Sequence, residues 1–486
     1  MENKEIPFYD VLIVGAGLSG IAAAYHIQSK CPDKSYAVLE GRAVIGGTWD
    51  LFKYPGIRSD SDMYTLGFSF NPWESPKAIA DGPSILQYIK DTAQKFGIDE
   101  KILFNHKVVD ASWTDSSKYW TLTLRDAEGL SYRQMRCNFL ISCSGYYDYE
   151  RGHEPSFEGR ESFEGLILHP QKWDESLDYQ DKKVVVIGSG ATAITLLPEM
   201  AKTAQKVTML QRSPTYIKSL PGKDKMANFL RRVLPKKMAY NLSRWKNVLV
   251  SLAFYKAARK WPKSIKKFLI KEAKKEMGPN YDLKHLTPHY NPWDQRLCVA
   301  PDGDFFEALR SGKTEIVTDT IARFTPKGIL LDSGAELEAD IIVTATGLKV
   351  QMLGGMTVHV NGVLGETKDI HCYRGVMFSD VPNFAVAIGY TNASWTLKCD
   401  LSCHYVTRIL NYMRKKHFRV CTPRFEGKGL DSKPLLDFDA GYIKRASAIM
   451  PKQGSKAPWK VYQNYVADYF TLKYRRAVDK YLEFEE

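Results

Sequence analysis

The chain has 486 residues, of which 44% are hydrophobic and 25% are charged, a composition typical of globular proteins with more than one domain. Its eight cysteines form no Cys-x-x-Cys pair and no cluster with histidine, so neither a disulfide framework nor a metal site is predicted. The formal net charge is +13, and the segment from Gly222 to Asn280 alone contributes +14, because 17 Lys and Arg residues stand there against three acidic residues. No RNA- or DNA-binding motif accompanies this basic segment, so we predict no nucleic-acid partner.

The short leader Met1–Pro7 leaves no room for a signal peptide. No apolar run approaches the roughly 18 residues that a membrane span requires. Together with the cysteine usage, these features lead us to expect a reduced, cytoplasmic protein that does not cross a bilayer.

The first predicted strand, Phe8–Val14, runs into the glycine-rich turn Gly15–Gly20, and a helix over Ile21–Ser29 and a strand over Ser35–Glu40 follow. In this order a G-x-G-x-x-G turn binds a dinucleotide. Its glycines permit the tight turn, the approach of the backbone to the pyrophosphate, and the packing of helix on strand. The carboxylate of Glu40 then lies where it can accept hydrogen bonds from ribose hydroxyls. We predict an FAD site at this turn.

The same succession recurs with the strand Lys183–Ile187, the turn Gly188–Ala193, the helix Ile194–Lys202 and the strand Val207–Gln211. This second unit ends in Arg212 instead of an acidic residue. A cation at that position suits the 2′-phosphate of NADP, so we predict a second site for NADPH.

Two nucleotide sites in one chain predict the transfer of electrons from NADPH to a flavin. A disulfide reductase would need a redox-active cysteine pair after the first turn, and Cys31 stands alone there. Dioxygen remains as the acceptor, held by the flavin as a peroxide at its C4a carbon.

Two further predicted strands end in small residues: Asn138–Ser142 precedes Cys143–Gly145, and Asp340–Val343 precedes Thr344–Gly347. Each turn could carry the chain between nucleotide domains, with small residues that let the backbone approach a cofactor closely. Each could equally be an ordinary turn at the end of a strand. The pattern alone leaves both interpretations open.

Between the two fingerprints, Phe163–Asp174 resembles the F-x-G-x-x-x-H-x-x-x-W-[PD] signature of the Baeyer–Villiger monooxygenases, which belong to the class B flavin-dependent monooxygenases. The related N- and S-oxygenating branch usually carries another aromatic residue where Trp173 stands. Gly46–Trp49 with Tyr54–Asp60 resembles a second stretch of the family, and Gly389–Thr396 resembles the return of the chain into the FAD domain. Within the family, the chain most resembles the bacterial subgroup that includes the ethionamide-activating monooxygenase.

The resemblance implies the use of FAD, NADPH and O2 to insert an oxygen atom beside a ketone carbonyl, giving an ester or lactone through a C4a-peroxyflavin. Sulfides and thioamides are further substrates that it implies. Arg296 would stabilise the peroxide anion without protonating it, because an arginine pKa stays above about 12, and Asp60 would orient Arg296. His169 would couple movement of the NADPH domain to the flavin site or act in acid–base chemistry, and Trp173 is a further candidate catalytic residue. On spacing alone, His169 is as well explained as a structural histidine and Trp173 as packing.

The expected fold is α/β, with two Rossmann-like domains and a helical insert. We predict an FAD domain over 1–145 and 348–486, an NADPH domain over 146–220 and 300–347, and a basic helical subdomain over 221–299. The predicted cofactor contacts are Gly15, Gly17, Leu18, Ser19, Gly20, Glu40, Gly47, Thr48, Trp49, Asp60, Val108, Gly188, Ser189, Gly190, Ala191, Thr192, Arg212, Ser213 and Trp395.

The basic segment has an apolar stripe at three- and four-residue spacing, formed by Trp245, Val248, Leu249, Leu252 and Tyr255. The stripe predicts a helix that packs on the nucleotide domains as a solvated lid. A basic amphipathic helix with aromatic residues is also typical of peripheral contact with anionic lipid, so both interpretations of residues 222–280 stay open.

Two alternatives to a Baeyer–Villiger reaction also follow. An N- or S-oxygenating flavin monooxygenase would carry the same two nucleotide sites. A non-catalytic, membrane-attached flavoprotein would bind both nucleotides for structure or sensing.

Overall fold

The computed structural model describes residues 5–126, 128–129, 131–427, 431–436 and 441–486. The predicted α/β fold is confirmed, since two sheets rich in parallel strands are each enclosed between buried apolar clusters. Over the described ranges, no helix is both long and apolar enough to cross a membrane.

The helices vary from single turns to a rod of 25 residues. In chain order they are α1 (Leu18–Lys30), α2 (Thr48–Leu51), α3 (Met63–Leu66), α4 (Gly82–Lys95), α5 (Ala191–Met200), α6 (Lys225–Val233), α7 (Lys236–Lys260), α8 (Pro262–Met277), α9 (Asp304–Arg310), α10 (Trp395–Lys416), α11 (Gly441–Ala446) and α12 (Tyr465–Lys473).

Most strands are short. In chain order they are β1 (Phe8–Val14), β2 (Tyr36–Leu39), β3 (Ile102–Leu103), β4 (Lys107–Thr114), β5 (Tyr119–Arg125), β6 (Tyr132–Ser142), β7 (Leu166–Leu168), β8 (Lys183–Ile187), β9 (Lys206–Gln211), β10 (Ile217–Leu220), β11 (Cys298–Pro301), β12 (Thr314–Thr318), β13 (Ile321–Thr325), β14 (Gly328–Leu331), β15 (Glu336–Glu338), β16 (Ile341–Thr344), β17 (Thr357–Val360), β18 (Val363–Leu364), β19 (Cys372–Tyr373), β20 (Met377–Phe378), β21 (Phe384–Val386), β22 (Val420–Pro423), β23 (Ser432–Pro434), β24 (Lys452–Gly454) and β25 (Leu482–Glu485).

The larger sheet contains the first fingerprint. Its parallel part has the order β3-β2-β1-β6-β21, and β4, β5 and β6 form an antiparallel meander beside it. In β1, Val11 and Ile13 face one buried cluster while Leu12 and Val14 face another. Successive residues of a strand point to opposite faces, so a strand covered on both faces needs the continuous apolar run seen in the sequence. Strands β17–β21 return to this sheet after the second nucleotide domain.

The second sheet is parallel throughout, in the order β12-β9-β8-β16-β7. Val184 and Val186 of β8 face one buried cluster, and Val185 and Ile187 face another. The carboxyl end of β8 carries the second glycine-rich turn. Ligands of parallel α/β sheets bind beyond the carboxyl ends of the strands, so the sheet places its site at this edge.

The chain leaves the second nucleotide domain along β10, forms the basic helices α6, α7 and α8, and returns along β11. Because β10 pairs in parallel with β11, the exit and the return lie side by side. The predicted limit between residues 299 and 300 falls inside β11. The domain limits otherwise stay a prediction.

Candidate active site

A cavity of about 970 Å³ lies between the two nucleotide domains. Both glycine-rich turns line it, as do Asp60 and Arg296. The volume is at the upper end of the range of about 300–1,000 Å³ typical of cofactor and ligand sites. The fold therefore brings the two predicted nucleotide sites together in one space.

Most of the predicted site residues line this cavity. They are Gly15, Gly17, Leu18, Ser19, Glu40, Gly47, Thr48, Trp49, Asp60, Val108, Gly188, Ser189, Gly190, Ala191, Thr192, Arg212, Arg296 and Trp395. Among described residues, Gly20, Ser213, His169 and Trp173 were also predicted but lie outside the lining. Gly20 acts through packing, because a Cβ there would lie 1.8 Å from the Gly15 carbonyl oxygen. Ser213 supports the second turn, since its carbonyl oxygen accepts a hydrogen bond from Ser189 Oγ at 3.0 Å.

The first turn fits a pyrophosphate. Gly15 has φ +104°, and a Cβ there would lie 2.7 Å from the Cys143 carbonyl oxygen, so only glycine allows this close approach of strand ends. Helix α1 begins at Leu18, inside the turn, and its N-cap Gly17 supplies no side-chain hydrogen bond. The first N–H groups of the helix lack intrahelical partners. Directed at the cavity, they form an anion site of the kind that binds phosphate.

Glu40 is buried beside this turn. Its Oε2 accepts a hydrogen bond from the Ala16 N–H at 2.8 Å, and its Oε1 accepts one from the Arg42 N–H at 3.0 Å. Burial raises the pKa of Glu40, and these two backbone hydrogen bonds oppose that rise. Each carboxylate oxygen keeps a further lone pair, so Glu40 can fix the turn and still accept from a ribose hydroxyl.

The second turn resembles the first, but it leaves open space beside its second glycine. Gly188 has φ +131°, and a Cβ there would lie 2.4 Å from the Ala345 carbonyl oxygen. A Cβ on Gly190 would meet no protein atom within 4 Å, so the space beside Gly190 is open to a ligand. Helix α5 begins at the next residue without a side-chain cap. These features fit the pyrophosphate of a second dinucleotide.

Asp60 and Arg296 meet between the two turns. Arg296 Nε lies 3.4 Å from Asp60 Oδ2. The Asp60 side chain is 19% exposed and the Arg296 side chain is 42% exposed, so the guanidinium group still reaches the open cavity. The pair puts a positive charge held by a carboxylate at the junction of the two nucleotide sites.

The segment that carries Asp60 is fixed on both sides. Arg58 forms two hydrogen bonds with Asp304, the first residue of α9, of which Nη2 to Oδ1 measures 3.3 Å. Asp62 accepts a hydrogen bond from Asn247 Nδ2 of α7 at 2.9 Å and caps α3 through the Thr65 N–H at 3.1 Å. The basic subdomain and the NADPH domain thus both contribute to the position of Asp60.

His169 is buried among the connections between domains. Its Nε2 donates to the Gly347 carbonyl oxygen at 3.1 Å, and its Nδ1 accepts from the Gln171 N–H at 3.1 Å. Burial lowers the pKa of His169, which agrees with the neutral ring that these two bonds require. Trp173 is buried in the core of the NADPH domain. Their positions favour structural coupling over contact with substrate, and their role in catalysis stays a prediction.

Aromatic residues form a wall of the cavity, of which the sequence predicted Trp395 but neither Tyr146 nor Tyr147. Trp395 stacks on Tyr146 with ring centroids 4.8 Å apart, and its Nε1 donates to Ser19 Oγ at 3.1 Å. The hydroxyl groups of Tyr146 and Tyr147 are 2.6 Å apart. Tyr146 and Tyr147 directly follow the small residues Cys143–Gly145. Their position after a turn that could approach a cofactor is the sequence feature that could have predicted their place in the cavity. Arg58 was likewise visible within the Tyr54–Asp60 motif.

Comparisons with curated proteins agree with this architecture. The FAD-containing monooxygenase EthA of Mycobacterium tuberculosis is 52% identical over 477 residues, which cover 98% of this chain and 97% of EthA. EthA of Mycolicibacterium smegmatis is 52% identical over 478 residues, with the same coverage.

Solved structures share the fold at low sequence identity. An oxidized steroid monooxygenase bound to NADP has a TM-score of 0.77 at 21% identity and covers 99% of this chain and 100% of its own. OTEMO in complex with FAD and NADP has a TM-score of 0.71 at 22% identity, with coverages of 86% and 88%. The sequence model of the flavin-binding monooxygenase-like family matches residues 10–388. The predicted family is therefore confirmed, and the chain belongs to the flavin-binding monooxygenase-like family.

Proposed function

We propose that this flavin monooxygenase uses FAD, NADPH and O2 to insert one oxygen atom beside the carbonyl of a small ketone, giving an ester or lactone. The observation that carries the proposal is Arg296, held by Asp60 at 3.4 Å in the cavity that both glycine-rich turns line. Oxidation of sulfides or thioamides by the same site, which the resemblance to the ethionamide-activating subgroup implies, belongs to the proposal.

The residues fit the two cofactors. Helix α1 and Glu40 would hold FAD, and helix α5 and Arg212 would hold NADPH. When bound, FAD carries electrons from NADPH to dioxygen and delivers one oxygen atom to the substrate, while the other leaves as water.

Arg296 provides a fixed positive charge beside the reacting atoms. An arginine side chain stays protonated in proteins, so Arg296 stabilises negative charge without giving up a proton. A preorganised cation stabilises negative charge that develops on a carbonyl oxygen. Asp60 restrains the guanidinium group, and Arg58 and Asn247 hold the segment of Asp60 from two sides.

The aromatic wall would exclude water and orient the substrate. Trp395 and Tyr146 present stacked rings to the cavity. Apolar walls with few polar groups are typical of sites for small organic molecules. The wall supports an apolar ketone in preference to a charged substrate.

Product analysis tests the reaction. Purified protein loaded with FAD should oxidise NADPH faster when a cyclic or linear ketone is added, and mass spectrometry with ¹⁸O2 should find one labelled oxygen in an ester or lactone. Labelled N- or S-oxides without any ester would favour the N- or S-oxygenating alternative. A protein that binds both nucleotides without oxidising NADPH would be the non-catalytic flavoprotein.

We also propose that the protein is cytoplasmic and makes peripheral contact with an anionic membrane through its basic segment, residues 222–280. Helix α7 exposes Met238, Leu242 and Leu249, of which Leu249 was expected to pack inward but is 53% exposed. Val248 of the predicted stripe is buried as expected, while Trp245 is partly buried against the core. Exposed apolar side chains among many lysines are typical of helices that lie at a membrane surface.

The C-terminal helix extends this surface. Trp245 contacts Tyr469 of α12 with centroids 4.9 Å apart, and Phe470 and Tyr474 beyond it are exposed. Lys473 lies 4.9 Å from the centroid of the Tyr469 ring. Aromatic rings with adjacent cations suit the interface between lipid headgroups and acyl chains.

Sedimentation with vesicles tests this contact. The protein should pellet with vesicles containing phosphatidylserine, less so at high salt, and hardly with pure phosphatidylcholine vesicles. The double variant Leu242→Glu/Leu249→Glu should lose binding, whereas Val363→Glu/Leu364→Glu, at two other exposed apolar residues, those of β18, should keep it. Equal sedimentation of both variants, or self-association through α7 without vesicle binding, would contradict the proposal.

A further inference from the structure

The cations that line the cavity divide into two groups. Those with a carboxylate partner are Arg42 with Asp50, Arg58 with Asp304, Lys107 with Glu150, and Arg296 with Asp60. Within the described part of the chain, Arg125, Arg212 and Arg445 also line the cavity and have no ion-pair partner. Arg125 faces Lys107 across β4 and β5, close to Glu150. Arg212 is already predicted to bind the 2′-phosphate, which leaves Arg445 unexplained.

Arg445 belongs to α11, in the part of the chain that follows the return to the FAD domain. Together with Gly441, it lines the same cavity as both glycine-rich turns. Its Nη2 lies 3.9 Å from the position that a Cβ on Gly347 would occupy. Burial against the wall lowers the pKa of Arg445, as expected for a cation that has lost water without gaining a carboxylate.

The sheet topology gives Arg445 a defined place relative to the second turn. The order β9-β8-β16 puts Arg212, which follows β9, on one side of the Gly188 turn. Gly347 follows β16 and lies on the other side, with Ala345 in contact range of Gly188. Arg212 and Arg445 therefore flank the N-terminus of α5, where a pyrophosphate would lie.

We propose that Arg445 binds the phosphate on the nicotinamide side of the NADPH pyrophosphate. This rests on the proposed NADPH site at Gly188–Ala193. A guanidinium group presents a planar pair of donors that matches phosphate oxygens. The opposite side of the turn is the adenosine side, where Arg212 would meet the 2′-phosphate.

The contact would have a structural consequence. Helix α11 follows the C-terminal return to the FAD domain, whereas the second turn belongs to the NADPH domain. NADPH held by both Arg212 and Arg445 would thus connect the two parts of the protein that exchange electrons.

Binding measurements on the FAD-loaded protein test the inference without using turnover. Isothermal titration calorimetry with NADP⁺, NAD⁺ and adenosine 2′,5′-bisphosphate separates the phosphates, because NAD⁺ lacks the 2′-phosphate and the bisphosphate lacks the nicotinamide side. Arg445→Gln should raise the Kd for NADP⁺ and for NAD⁺ by the same factor of about ten, as for loss of one charge-assisted hydrogen bond. The Kd for the bisphosphate should change by less than about twofold.

Two comparisons identify the effect with Arg445. Arg212→Gln should weaken the binding of NADP⁺ and of the bisphosphate but not of NAD⁺, so the two variants differ in which second ligand they affect. Lys444→Gln removes a charge from the neighbouring residue, which does not line the cavity, and should leave all three affinities unchanged.

Several results would overturn the inference. An unchanged Kd for NADP⁺ in Arg445→Gln would do so, as would a loss confined to NADP⁺, an equal loss for the bisphosphate, or loss of FAD from the protein. Failure of the wild-type protein to bind NADP⁺ at all would instead refute the proposed function, so the two failures are distinguishable.

Discussion

The guanidinium group of Arg58 and the carboxylate of Asp304 form a bidentate ion pair, which joins the FAD domain to the first residue of α9 in the NADPH domain. Two residues further on, Asp60 approaches Arg296. One short segment of the FAD domain therefore contacts the NADPH domain at Asp304 and, in the cavity, contacts Arg296 in the segment just before β11.

The Arg58–Asp304 pair should contribute to stability, and a double-mutant cycle measures its coupling free energy. The Arg58 side chain is 11% exposed and that of Asp304 is 29% exposed, and water screens such a pair less than a surface pair. We expect a coupling of about 1–2 kcal/mol between Arg58→Gln and Asp304→Asn in urea unfolding of the FAD-loaded protein. The exposed pair Lys183–Glu338, at 2.6 Å, is the control and should show no measurable coupling, because water screens it fully. Equal couplings would show that Arg58 and Asp304 have no special role.

Arg296→Ala should separate reduction from oxygenation. Reduction of FAD by NADPH needs no cation at this position and should persist, whereas formation of the oxygenated product should fall about 10²–10³-fold. Rapid-mixing absorbance of the flavin and product analysis measure the two steps. Arg323→Ala, at an exposed arginine of β13, is the control. Normal ester formation by Arg296→Ala would remove Arg296 from the site.

Glycine substitutions in the second turn should have contrasting effects. Gly190 has an ordinary backbone conformation and open space beside it, so Gly190→Ala should fold and retain FAD, while its methyl group would occupy the place of the pyrophosphate. Gly188→Ala should instead lower stability, because its φ is +131° and its Cβ would collide with the Ala345 carbonyl oxygen. NADP⁺ titration and thermal unfolding distinguish the two. A Gly190→Ala protein with wild-type affinity for NADP⁺ would mean that the dinucleotide lies elsewhere.

The buried Asp400 should give the protein part of its acid sensitivity. Burial would raise the pKa of Asp400, but the hydrogen bond from His26 at 2.8 Å and the charges of His26 and Arg244 lower it to about 2. Because this is below the unfolded value of about 3.9, the carboxylate contributes its full stabilisation above about pH 4 and loses it as the pH falls towards 2.

Asp400→Asn should therefore cost about 2 kcal/mol in free energy of unfolding near pH 6, with a difference from wild type that shrinks below pH 4. Urea unfolding across this pH range measures it. Asp181→Asn, at an exposed aspartate, should leave the pH dependence unchanged. A cost for Asp400→Asn that did not vary with pH would show that Asp400 acts through packing.

The sequence by itself determined the family, the α/β fold and the two nucleotide turns. Such a turn is built from contiguous residues whose conformation depends on local sterics, as at Gly15 and Gly188, so a local pattern is sufficient to predict it. Helix limits shifted by a few residues: α1 begins at Leu18, not Ile21, because the last part of the turn already forms its first residues.

Only the tertiary structure decided which distant side chains share the cavity. Nothing local to Arg58, Tyr146 or Arg445 shows that Asp304, Trp395 or Gly347 lies beside it. These contacts depend on how the chain leaves and re-enters the first sheet and on the order of strands in the second. The exposure of Leu249 has a similar cause, because helical periodicity predicts that a face is apolar but not what covers it.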